Sequence, residues 1–210
     1  NSQLRFGSSE GGRIAETMIF PSHIFLLILL PLALLGWYVP RHPTTRLFFL
    51  NVSSYIFYGW WDYRFVCLLL LTTMIDYFAG MKISRSREVK IRRAWLIVSL
   101  TANLGILGVF KYYDFFVLSL GHLLNTLGID VSVSLLHIVL PLGISFYTFQ
   151  SMSYTIDVYR DNVAPAASFL TFSAYVSMFP QLVAGPIVRY VDINEQLQKV
   201  ARKIMNYGQI

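Results

Sequence analysis

Charged residues are scarce, at 13% of a 210-residue chain, about half the roughly 25% of an average soluble domain. So few ionic groups cannot cover a soluble globule of this size. Cysteine is almost absent: Cys67 stands alone, which excludes an internal disulfide framework. No Cys/His grouping has zinc spacing, and no glycine-rich loop could cradle a phosphate. The 13 glycines follow no period, which excludes a collagen-like chain. What the sequence has in excess is apolar surface, with 55% hydrophobic and 16% aromatic residues. That excludes disorder and leaves an all-α integral membrane protein, a multi-spanning helical bundle.

The net charge of +6 is concentrated rather than spread. Lys82, Arg85, Arg87, Lys90, Arg92 and Arg93 lie in one short run with Glu88 as its only acid. A nucleic-acid surface would interleave aromatics with these bases, and none is present. The run reads as a cytoplasmic loop obeying the positive-inside rule.

Uncharged or nearly uncharged stretches cover Ser22–Pro40, Leu47–Trp61, Phe65–Met81, Ala94–Phe110, Phe115–Ile129, Val131–Ile156 and Val163–Val188. Counted as about seven crossings, they put 40–46 and 189–210 on the side of 82–93, and Asp62–Arg64 and Asp157–Asp161 opposite. The polar residues before Met18, 1–17, are set aside as a non-native or disordered leader. Residues 18–197 form the membrane region, and 198–210 a polar cytoplasmic tail or continuation. The weak element is Leu47–Trp61, too short at about 22 Å for a comfortable crossing.

Chemistry is expected where the spans depart from plain apolar helices. Around residues 141–156, Ser145, Thr148, Ser151 and Thr155 fall on one helical side, while Gln150 and Ser153 point elsewhere. Polar groups all round cannot face acyl chains, so this helix belongs inside the bundle. Two readings stay open: hydroxyls packed against neighbouring helices, or the wall of a polar tunnel that would also use Tyr154. Asp157 and Arg160 are spaced for a mutual ion pair or a place in a substrate mouth. Gln181, Gly185 and Pro186 lie in a segment whose two prolines break a helix, and broken backbone at membrane depth needs protein or a wet cavity to satisfy it. Arg189, just beyond, is an interfacial anchor or a contact for an anion. Asp76 sits inside a span and is either functional or held by a structural hydrogen bond. His137 reads as a core histidine. Trp37, Trp60 and Trp61 read as interfacial belts.

Pro141 to Gln150, with Ser153-Tyr154 and Ile156 to Arg160, resembles a signature of the bacterial membrane-bound O-acyltransferases. Within that family the likeness is to the branch holding the alginate O-acetylation membrane proteins and the D-alanine exporters of teichoic acids. Phe179 to Leu182, Ala184 to Ile187 and Arg189 resemble a second family segment. Ser54, Phe57-Tyr58, Trp61, Asp76-Tyr77, Gly80 and Phe110 to Tyr112 fit in the same order.

The resemblance implies a bacterial inner-membrane fold pierced by a tunnel. An acyl group, most simply acetyl, would pass from a cytoplasmic donor such as acetyl-CoA to an extracytoplasmic polysaccharide such as alginate. It also implies periplasmic O-acetylation partners. No nucleic acid, bound cofactor or metal is expected. Family members are longer and carry their catalytic histidine in the second half. The chain therefore corresponds to an N-terminal portion, with no catalytic residue of its own and no activity in isolation. None of His23, His42, His122 or His137 begins the H-x-x-x-x-D pattern of glycerolipid acyltransferases. D-alanyl transfer to teichoic acid and a non-enzymatic transporter are the alternatives; a seven-span receptor is suggested by the count alone.

Overall fold

The computed structural model describes residues 25–128, 141, 143–185 and 188–193. The leader 1–17, the tail 198–210, His23, His137 and Pro186 lie outside the described residues. Every described element is helical: a π-turn, Phe25–Leu29, running into α1 (Leu30–Tyr38), then α2 (Pro43–Trp61), α3 (Tyr63–Arg85), α4 (Val89–Thr126), α5 (Ile144–Tyr159), α6 (Phe169–Ser177) and α7 (Phe179–Ala184). Two of these, α3 and α4, are long and apolar enough to cross a membrane.

Local chemistry sets the boundaries. Pro43 opens α2, where its missing N–H costs nothing and its φ is already helical. This lengthens the doubtful 47–61 stretch to 19 residues, about 28 Å, which removes the shortfall expected from sequence. Asp62 separates α2 from α3 and caps the latter by accepting from the Arg64 amide at 2.9 Å. The Arg64 guanidinium, hydrogen-bonded to the same carboxyl, holds it below the ordinary carboxylate range, so the cap stays charged. Ser168 caps α6 through the Thr171 amide at 3.1 Å. Gly143, at φ +71, turns the chain into α5.

Two sequence expectations are corrected here. Ala94–Phe110 and Phe115–Ile129 are not separate spans, because α4 runs unbroken for 38 residues, about 57 Å. Lys111 and Asp114 lie within α4, because charged side chains do not by themselves end a helix. Gly105 and Gly108 lie within the same helix, and neither interrupts it. Asp157–Asp161, expected opposite the basic loop, lies beside it instead. Arg92 donates to the Tyr159 carbonyl at 2.7 Å and to Asp161 at 2.8 Å. The second correction follows from the first, since one crossing fewer brings α5 back to the basic end.

α3 occupies the centre, against α2, α4, α5 and α6. Asn51 of α2 donates to the Leu170 carbonyl at 3.1 Å, and Tyr55 pairs with Ser173 at 2.7 Å, fixing α6 along α2. Residues 163–188 are not one span either. After α6 the chain turns at α7, where Phe179 meets Phe57 and Phe25 at centroid distances of 5.6 and 5.7 Å. It then doubles back, so that Tyr175 of α6 donates to the Val188 carbonyl at 2.9 Å. Pro180 stands in the first turn of α7, where the helix break expected from the sequence falls.

The radial distribution of polarity is inverted relative to a soluble protein. Leu27, Leu32, Tyr63, Phe115, Phe116 and Leu123 are exposed. Thr72, Thr73, Asp76, Ser99, Asn103, Ser151 and Thr155 are buried. An apolar mantle around a hydroxyl-rich interior suits a hydrocarbon solvent.

Cysteines placed at Arg87 and Asn162, in a Cys67→Ser background, are expected to react with a membrane-impermeant thiol reagent from the same side of sealed vesicles. Labelling from opposite sides would overturn the shared end.

Candidate functional site

The described interior is organised around Asp76, which has no solvent exposure. Its Oδ1 accepts from Ser99 Oγ at 2.5 Å and from Asn103 Nδ2 at 2.8 Å. Oδ2 accepts from Asn103 Nδ2 at 2.9 Å and from Ser151 Oγ. Ser99 Oγ also lies 3.2 Å from Thr155 Oγ1, and Asn103 Nδ2 reaches the Ser99 carbonyl at 2.9 Å. One carboxyl on α3 thereby ties α4 to α5. The expectation of a structural hydrogen bond at Asp76 is met severalfold.

A second cluster is built on other faces of α5 at the same level. Gln150 Nε2 donates to the Tyr175 carbonyl at 2.8 Å, and Tyr175 Oη donates back to the Gln150 carbonyl at 3.3 Å. Ser153 Oγ donates to the same Gln150 carbonyl at 2.7 Å. Tyr154 Oη accepts from the Ala166 amide at 3.1 Å, and its ring meets Phe172 and Tyr190 at 4.3 and 4.9 Å. The close approach of α3 and α5 depends on Gly80, where a Cβ would stand 2.6 Å from Tyr154 Oη.

At the end of α5, Asp157 is buried and pairs with Arg189 at 2.5 Å. Asn162 supports the same oxygen at 3.3 Å, while the other, Oδ2, is buried with no hydrogen-bond partner. Asp157 therefore does not pair with Arg160, which is exposed. Arg160 heads back toward solvent at the helix end, while Asp157 faces the returning chain. Arg189, read as anchor or anion contact, is half exposed and contacts an anion, namely Asp157.

The remaining sequence candidates divide. Thr148 is fully buried, its hydroxyl lacking a hydrogen-bond partner, and Ser145 is half-buried on the first turn of α5. Gln181 lies half-buried on α7, with Gly185 directly behind it: a Cβ on Gly185 would come within 2.6 Å of Gln181 Cα. Gln150, Ser153, Tyr154, Asp157 and Arg189 are brought together along α5 and the returning segment; Arg160 is not. His42 and His122 are exposed, at the start of α2 and near the end of α4. Among the described residues no three His, Cys, Asp or Glu side chains gather to hold a metal. A groove of about 510 Å³ between α1 and α2 is largely apolar, lined by residues such as Leu32, Phe49, Val52 and Ile56, with Ser53 its one hydroxyl side chain.

Sequence reading overlooked Ser99, Asn103, Asn51, Tyr175 and Tyr190. A signal existed for the first two, since Ser99 and Asn103 are four apart in an otherwise apolar span and share a helix face. Tyr175 and Tyr190 carried none, because their partners are backbone carbonyls and rings distant in sequence.

Comparison with known proteins bears on this arrangement. The probable alginate O-acetylase AlgI of Pseudomonas aeruginosa is 41% identical over 85% of this chain and 34% of its own length. The protein of the same name from Azotobacter vinelandii is 38% identical over 85% of this chain and 36% of its own. A peptidoglycan O-acetyltransferase of Helicobacter pylori is 30% identical over 92% of this chain and 41% of its own. The chain thus spans about a third of the length of the alginate relatives it matches. No protein-family profile matches the chain, and no solved structure does.

Two outcomes test the geometry. Gly80→Val should lower stability by about 1–3 kcal/mol through overpacking against Tyr154, read as a fall in Tm in detergent; an unchanged Tm would mean the two helices are not in close contact. Arg189→Ala should cost about 1–2 kcal/mol, below the range for a fully buried pair because Arg189 is half exposed. Adding Asp157→Asn should recover part of that loss, and a double variant no better than Arg189→Ala would remove the pair from the account.

Proposed function

We propose that this chain, a relative of the alginate O-acetylases and of the membrane-bound O-acyltransferase type, is part of a multi-pass inner-membrane enzyme that moves an acetyl group onto an extracytoplasmic polysaccharide. The observation that carries the reading is identity near 40% along 85% of the chain to proteins named for that activity. The inverted polarity supports it in physical terms. A mantle of exposed leucine and phenylalanine surrounds hydroxyls, amides and a carboxyl, the kind of interior through which a polar acyl donor could be approached.

In such a reaction the acceptor hydroxyl attacks the acyl carbonyl, the acyl–sulfur bond of a thioester donor breaks, and a base takes the hydroxyl proton. The residues of this chain bind and position rather than supply that base. Gln150, Ser153 and Tyr154 shape the interior face of α5, and Asp157 with Arg189 fastens the returning segment to its basic end. Acetyl-CoA or a related thioester is the donor in this reading, approaching from the side of Lys82–Arg93, with periplasmic proteins completing the transfer. A second acceptor, peptidoglycan, is favoured by the Helicobacter pylori relative and keeps the same chemistry.

Expression of the complete reading frame in an alginate-producing host lacking its own O-acetylase should restore O-acetyl groups on the polymer. The 210-residue chain alone should restore none. Acetylation of peptidoglycan and not alginate would move the acceptor assignment, and O-acetylation by the 210-residue chain that is lost in His137→Ala would place the chemistry within it.

A further inference from the structure

The three ion pairs among the described residues join Asp62 to Arg64, Asp161 to Arg92 and Asp157 to Arg189. Each lies at a helix end. Asp76 differs in both respects. It stands 13 residues from Tyr63 and nine from Arg85 along α3, about 20 Å and 14 Å from the two ends, and every group bonded to it is neutral. From α4 it meets Ser99 and Asn103, and from α5 Ser151, with Thr155 one hydrogen bond further out. The phenol of Tyr154 is the nearby ionisable group on α5, and it is held by Ala166. On α2, Tyr55 is bonded to Ser173 and Arg46 to the Pro40 carbonyl, while Tyr175 of α6 bonds to Val188.

A carboxylate fixed permanently in hydrocarbon without a cation is costly. The surroundings of Asp76 can hold two charge states, with the stronger hydrogen bonds going to the charged one. When it is ionised, the Ser99 and Ser151 hydroxyls donate to it, as observed. When it is protonated, its own O–H can donate to either hydroxyl oxygen, each serine being both donor and acceptor. The displaced serine proton then turns to a carbonyl of its own helix, as Thr155 Oγ1 already does toward the Ser151 carbonyl at 3.4 Å. Only hydroxyl rotors move.

We propose that Asp76 is a reversible proton-holding site at mid-depth in the membrane, joined to the hydroxyl relay Ser151, Ser99 and Thr155. Resting on the function proposed above, the site has a use. Transfer from an inner thioester to an outer hydroxyl breaks an acyl–sulfur bond and forms an acyl–oxygen bond. The hydroxyl loses a proton on one face and the thiol gains one on the other, so transfer without net charge movement carries one proton across for each acetyl group. Asp76 is a positioning and proton-carrying residue in this account, not one that touches the reacting acyl carbon.

The test is difference infrared spectroscopy on the full-length protein, titrated from about pH 4 to about pH 10, with O-acetylation measured across the same range. Wild type should show a carboxylic-acid carbonyl band that vanishes as pH rises and is missing in Asp76→Asn, with transfer in that variant reduced about tenfold or more. Ser151→Ala, which keeps the carboxyl and deletes one donor to its charged form, should move the band's midpoint upward by about one pH unit. No titrating band lost in Asp76→Asn, or an unmoved midpoint in Ser151→Ala, overturns the proton site. Wild-type transfer and pH profile in Asp76→Asn overturns its part in transfer. A band that titrates as stated in a protein that acetylates neither alginate nor peptidoglycan sustains the site and sinks the function on which its use rests.

Discussion

A buried carboxyl must be surrounded by donors, and in this chain that requirement at Asp76 decides how the helices meet. The donors come from two different helices, Ser99 and Asn103 on α4 and Ser151 on α5. Within hydrocarbon, apolar packing alone does not choose one helix neighbour over another, since lipid is as good a contact as leucine. Hydrogen bonds do choose. Each contributes on the order of 0.6 kcal/mol, up to about 1.7, and several converging on one residue fix rotation and depth together. The remaining contacts follow from that alignment: Gly80 beneath Tyr154, then the Gln150–Tyr175 exchange.

The hairpin made by α6, α7 and residues 188–193 is built by a related logic. Phe179-Pro180 and the Gly185 turn release backbone groups that a lipid-exposed segment could not satisfy. Side chains from within the bundle take them up, Gln150 bonding the Tyr175 carbonyl and Tyr175 the Val188 carbonyl. The tyrosine-rich packing of Tyr154, Phe172, Tyr175 and Tyr190 places large rings against the hairpin while leaving each hydroxyl free to find a partner. The Asp157–Arg189 pair then closes the return at the basic end.

Much of this was legible in the sequence. Composition gives the helical membrane class, and the polar residues of 145–155 identify α5 as interior, because a helix polar on several faces has nowhere else to go. The break before α7 at Pro180 was readable from proline geometry. The error in crossing number came from treating Lys111 to Asp114 as a loop, when four helix-compatible residues with no proline or glycine among them simply continue α4. Arg160 was assigned to Asp157 because local spacing is visible in a sequence and a partner 32 residues away is not. The Asp76 node was half legible: an acid in a span calls for donors, but which helices supply them depends on tertiary alignment.

The unbroken length of α4 gives the molecule a mechanical property. The Asp76 node grips it at Ser99 and Asn103, and Thr126 lies 23 residues beyond Asn103, about 35 Å away. Helical backbone between those points is a stiff rod, so the node acts as a fulcrum with a long arm beyond it. A tilt of about 5° there carries the far end sideways by about 3 Å, on the helix rise of about 1.5 Å per residue. Any change of tilt at the node is thus multiplied along the arm and is greatest at its far end.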